Sequence, residues 1–271
     1  MTTQSRPASQ KKQNKKEGRM TLGQHLLELR KRLSIAAGSI LVASVGSAWL
    51  TNFVLAQVNA PIAEAARLTG RKVNLNYDGL TSPFDVRVQL AITLGIIISS
   101  PVWLYQVWAF IIPGLEKRER RYIYGFLGSA IPLFLIGCCA GWFIMPHMVQ
   151  LLTSFAPEQS TSFVNTSDYI SFITKLIVAV GIGFVMPVFL VLLNFIGILS
   201  AKVILKGWRI AIIAICVFTA IVTPSADVIS MFVLAIPIIA LYFAAAFVAH
   251  LHDRAVARRT EAFINSEIAN S

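Results

Sequence analysis

Apolar residues in this chain come in runs of about twenty, separated by short polar or charged connectors. A helix that crosses a bilayer needs about 20 mostly apolar residues. Runs of that kind lie near Leu33–Leu55, Val88–Ile112, Tyr122–Met148 and Tyr169–Ile198. Two more, Trp208–Val222 and Ile229–Leu251, are separated only by the residues TPSADV. The fifth run is short, and either a full crossing or a half-depth helix paired with the sixth fits it. The pattern predicts an all-α integral membrane protein with six transmembrane helices, the last two short. The membrane domain occupies residues 21–252, between an amino-terminal tail (1–20) and a carboxy-terminal tail (253–271).

Charge adds orientation. Only 14% of the residues are charged, against about 25% in soluble domains, and the mean hydropathy is +0.68. The net charge of +11 is spread over short flanks rather than gathered on one basic face, so nucleic acid is not an expected partner. Nine cations from Arg6 to Arg32 precede the first run. Lys117, Arg118, Arg120 and Arg121 follow the second, Lys202, Lys206 and Arg209 follow the fourth, and Arg254, Arg258 and Arg259 follow the sixth. The opposite loops hold only Arg67, Arg71 and Lys72. Positive loops stay in the cytoplasm, which places both termini there. Residues 1–20 are polar and lysine-rich, cannot bury a core, and are expected to be disordered near anionic headgroups. They are not followed by the short apolar core and cleavage site of a signal peptide.

Catalytic constellations are missing from the sequence. There is no HExxH, GxSxG or phosphate-binding Gly-rich loop, so an enzyme is not expected. Cys138, Cys139 and Cys216 lie inside apolar runs as small packing residues. His25, His147, His250 and His252 are scattered near span ends, and neither a metal nor another cofactor is expected.

Some polar residues stand out at the ends of the runs. In Leu22–Leu33, LGQHLLELRKRL, the leucines 22, 26, 29 and 33 recur at helical spacing, with His25, Glu28 and Arg32 opposite. This is an amphipathic helix at the membrane surface, continuing into the first span. Glu28 has Lys31 and Arg32 one turn later, which suits a helix-surface ion pair. The segment Ser99–Arg121, SSPVWLYQVWAFIIPGLEKRERR, passes from apolar residues into charge. If Leu115–Tyr122 is helical, Glu116 and Glu119 share a facet apart from their neighbouring arginines. Two readings fit them: solvated acids that temper a positive loop, or a docking site for an external basic group. Asp85 and Asp227 stand near helix starts, where acids complement the free N–H groups. Lys175 suits an interfacial, snorkelling position. Pro61 to Ala66 suits the start of a short helix in the first external loop.

Three segments carry a family resemblance: HLLELRKRL at His25–Leu33, Ser99–Arg121, and TPSADVIS at Thr223–Ser230. They resemble the signature segments of the TatC family, the polytopic core of the twin-arginine, Sec-independent protein translocase. The resemblance covers about Leu22 to Leu251. It implies a receptor in the bacterial inner membrane that binds twin-arginine signal peptides. It also implies assembly with other copies of itself and with small single-span TatA/TatB partners, to export folded proteins using the proton-motive force. The family's signal-peptide acids fall on Glu28 and Glu119, with Glu116 a possible secondary acid. Pro61, Phe110 and Asp227 fall on structural or assembly positions. One departure is Phe184-Val185-Met186-Pro187, where many members have a glutamate in place of Val185. The competing reading, a proton- or ion-coupled small-solute transporter, requires ionisable groups near mid-membrane, and the centres of these runs are nearly bare of them.

Overall fold

The computed structural model describes residues 22–69, 74–77, 79–111, 120–154, 163–223 and 228–269. The first long helix, α1 (Leu22–Ser47), passes through a 3-10 turn at Ala48–Leu50 into α2 (Thr51–Thr69). Gly23–Ala60 is long and apolar enough to cross a membrane, so the amphipathic segment does continue into the first span. Pro61 does not begin a separate helix, as expected from the sequence, but lies inside α2. It removes one backbone bond; the alanines around it, good helix formers, carry the helix on to Thr69.

The second run departs further from expectation. It is two helices, α3 (Ser82–Ile98) and α4 (Ser100–Ile111), bent by 63° at Ser99. Pro101 is the cause: it has no N–H for the Ile97 carbonyl and its ring crowds that carbonyl. The indole N–H of Trp103 donates to the carbonyl of Ile96 at 2.9 Å, satisfying an acceptor freed by the break. The bend swings α4 against α1.

Next come α5 (Arg120–Ser154) and α6 (Thr166–Phe195), which pack along much of their length. Both contain spans of membrane-crossing length, as does the helix α9 (Val228–Ala269). A short α7 (Ala201–Lys206) leads into α8 (Trp208–Val222). At 15 residues, α8 is about 22 Å long, less than the roughly 30 Å hydrocarbon core. The fifth segment is therefore short, as the hydropathy suggests. The last helix is not: α9 runs 42 residues, well past Leu251. Its continuation, DRAVARRTEAF, is rich in alanine and arginine, which favour helix.

Two three-residue strands interrupt the all-α expectation. β1 (Asn74–Asn76) pairs in parallel with β2 (Phe163–Asn165), Leu75 opposite Val164. They tie together the connectors before α3 and before α6. Asn165 then caps α6, its side chain accepting from the Ser167 N–H at 2.9 Å. One turn on, the Tyr169 hydroxyl donates to the carbonyl of Val58 in α2 at 2.8 Å.

The main core lies among α3, α4, α5 and α6, around Leu90, Trp108, Phe134 and Ile173. Trp108 packs on Phe126 and Phe189, with ring centroids 3.8 and 5.2 Å away. Val185 is buried in this cluster, so the position where many family members carry glutamate is filled here by a packed aliphatic side chain.

Candidate functional site

The bend at Ser99 places one face of α4 beside the first turns of α1. His25 stacks on Phe110, ring centroids 4.6 Å apart at 23°. One turn along α1, Glu28 Oε1 accepts from Arg32 Nη2 at 2.6 Å and from Nε at 3.0 Å. Arg32 Nη1 reaches Gln106 Oε1 on α4 at 3.5 Å. Gln106 and Phe110 are four residues apart, and so are Glu28 and Arg32, so each helix presents its pair on one face.

Glu28 and Arg32 are only 20% and 24% exposed, although both are charged. Glu28 Oε2 is buried without a partner among the described residues. A buried acceptor left unpaired costs about 1–3 kcal/mol, more when charged. The site is thus a carboxylate with one oxygen occupied and the other prepared for a donor.

The helical spacing of Leu22–Leu33 is confirmed, but its polar face points inward. Leu26 and Leu33 are 63% and 64% exposed, while His25, Glu28 and Arg32 meet α4. In a bilayer the lipid is the apolar phase, so outward leucines are satisfied there and the polar face needs a protein neighbour. The expected ion pair from Glu28 to Arg32 is present, and Lys31 is exposed.

Of the other site residues read from the sequence, Glu116, Glu119 and Asp227 lie outside the described residues. Pro61 is in α2, at the far end of the first span from Glu28. Asp85 stands in the first turn of α3. With Lys175 it borders a cavity of about 530 Å³ between α3 and α6, where Gln89 donates to Thr174 at 3.1 Å and the rest of the lining is mostly aliphatic. Gln106 was not singled out by the sequence reading; its place four residues before Phe110 was the available signal.

A second polar cluster also went unpredicted. Asp253 Oδ1 accepts from Asn194 Nδ2 at 2.8 Å, and Oδ2 accepts from the Ala201 N–H at 2.7 Å. The Asn194 amide also reaches the Leu199 carbonyl at 2.9 Å. Three elements, α6, α7 and α9, are thereby joined at one point. Burial by itself would raise the Asp253 pKa. The hydrogen bonds from Ala201 and Asn194, with the nearby His252 and His250, outweigh it and hold the carboxyl below its ordinary value. No group of three or more histidine, cysteine, aspartate or glutamate residues suited to a metal occurs among the described residues.

Comparison with known proteins identifies the family. The family described as Sec-independent protein translocase protein (TatC) matches residues 24–237. The Sec-independent protein translocase protein TatC of Xylanimonas cellulosilytica is 44% identical over 242 residues, covering 89% of this chain and 88% of that one. Its counterpart from Rothia mucilaginosa is 37% identical, covering 88% and 82%. Two crystal structures of the twin-arginine translocase receptor TatC superpose with TM-scores of 0.68 and 0.72, at 32% and 30% identity. They cover 84% and 83% of this chain and 98% and 99% of their own. A family model that spans most of the chain, with relatives and solved structures that match over most of both chains, leads to one conclusion: this multi-pass membrane protein belongs to the TatC family of the twin-arginine translocase.

Proposed function

We propose that this chain is the receptor and core subunit of its translocase, binding twin-arginine signal peptides at its cytoplasmic face. The family is a protein-translocase component, and the two superposed crystal structures are of a receptor. The observation that carries the reading is Glu28 Oε2, buried without a partner among the described residues, one turn from the His25–Phe110 stack. A guanidinium from a precursor supplies the donor it lacks, and charge-assisted bonds of this kind are strong. Glu119 takes the second arginine, with Glu116 as a secondary acid. Pro61, Phe110 and Asp227 act in structure or assembly. Both termini are cytoplasmic, in accord with the cation-rich flanks. The bacterial inner membrane, single-span TatA/TatB-type partners, other copies of this chain and the proton-motive force complete the export reaction.

Crosslinking of a photoreactive arginine-pair signal peptide to the protein in its native membrane tests this reading. Glu28→Ala and Glu119→Ala are each expected to abolish the crosslink while the protein still inserts. Undiminished crosslinking in both variants would overturn the assignment.

A further inference from the structure

Arg32 engages Glu28 in a one-sided way. Its Nε and Nη2 both donate to Oε1, whereas a fork-to-fork pair places one N–H on each oxygen. The third arm of the guanidinium is held toward α4 by Gln106. Arg32 therefore neutralises the carboxylate without using its second oxygen, which stays buried and unpaired among the described residues.

This changes what the site offers an incoming cation. A bare carboxylate attracts lysine and arginine alike. A carboxylate already in contact with a guanidinium has little net charge left with which to attract a second cation. What remains is a single acceptor, Oε2, one turn from the His25–Phe110 stack. A guanidinium is planar, weakly hydrated and carries several directed N–H groups, so it loses little on entering such a place. An ammonium is compact and strongly hydrated, and must shed more water for the same bond. We propose that Arg32 is a specificity-determining residue: by occupying Oε1 and cancelling the Glu28 charge, it makes the site choose arginine over lysine. This rests on the reading of Glu28 as a ligand for the precursor's arginine pair.

The test is equilibrium binding of fluorescent signal peptides, with Arg-Arg or Lys-Lys at the pair, to the full-length protein in nanodiscs. Wild type is expected to favour Arg-Arg by at least about tenfold. Arg32→Gln, which stays polar but leaves Glu28 uncompensated, is expected to tighten Lys-Lys binding by about fivefold or more. Arg-Arg binding changes much less, so the preference collapses. Arg32→Lys keeps the compensating charge and is expected to keep most of the preference, which guards against misfolding of the glutamine variant. An unchanged preference in Arg32→Gln, or equal loss of both peptides in a protein that unfolds at the wild-type temperature, overturns the proposal. Failure of the underlying reading looks different: Glu28→Gln leaves Arg-Arg binding intact, whereas equal binding of the two peptides by wild type overturns only the specificity proposal.

Discussion

Gly137 of α5 lies against Gly181 of α6 so closely that a Cβ on Gly137 would come within 2.8 Å of the Gly181 Cα. Gly141, one turn on, faces Ile177 in the same way, with 3.1 Å to its Cα. Residues 137–141, GCCAG, form the small-xxx-small pattern that lets helix backbones approach in lipid, where dispersion and close packing replace the hydrophobic drive.

Gly137→Val is therefore expected to force α5 and α6 apart. Overpacking of this kind costs about 1–3 kcal/mol, and here the obstacle is backbone, which cannot rotate away. Thermal unfolding in detergent should show a clear drop in Tm, while Gly128→Ala, whose Cβ meets nothing within 4 Å, stays near wild type. Equal behaviour of the two variants would contradict the close crossing.

Asp253 supports a pH prediction. Its folded-state pKa is lowered, so the unfolded chain holds a proton to higher pH than the folded one. The stabilisation is full above the unfolded value of about 3.9 and is lost as pH falls through the lowered folded value. Asp253→Asn is expected to remove the acid-side loss of stability and to cost about 1 kcal/mol near neutral pH, a modest figure because the side chain is partly solvated. Tm profiles of the two proteins from pH 7 to pH 3 should converge on the acid side.

The spans were legible because lipid demands long apolar runs, and that demand is local to each run. The Glu28–Arg32 pair was legible for the same reason, being set by helical spacing alone. What escaped depended on distant partners. Nothing near Asp253 in sequence announces Asn194 and Ala201, and the three-residue strands have too little pattern to be seen. Pro101 was visible, but a proline in an apolar run can be tolerated within a membrane helix, as Pro132, Pro187 and Pro237 are here, so the bend needed the neighbour α1 to be understood. The inward turn of the α1 polar face follows from swapping water for lipid as the surrounding phase.

Trp103 tests how the break is held. Its indole N–H supplies a donor to the Ile96 carbonyl, and its ring packs edge-on against Phe134 at 5.3 Å. Trp103→Phe keeps an aromatic ring and deletes the donor. The expected cost is about 1–3 kcal/mol for a carbonyl left unsatisfied. Hydrogen exchange should rise at the amides flanking Ser99 while α5 and α6 keep their protection. Uniform loss of protection would mean that Trp103 matters for packing, not for the break.

Pro101 supports the Glu28 site through the 63° bend between α3 and α4. Without the bend, α4 would continue along the axis of α3, and Gln106 and Phe110 would leave α1. Pro101→Ala restores the N–H that the Ile97 carbonyl lacks and removes the ring's clash, gaining roughly the 3 kcal/mol by which proline disfavours a helix interior. Opposing that gain are the α1–α4 packing, the Trp103 bond and the His25–Phe110 stack. The variant is therefore expected to populate a straighter second span without unfolding. Cysteines placed at 25 and 110 in an otherwise cysteine-free protein report the change directly. Their crosslinking by a short bifunctional reagent should fall several-fold in Pro101→Ala, and arginine-pair peptide binding should fall with it. Unaltered crosslinking would show that the tertiary contacts impose the 63° bend without help from the proline.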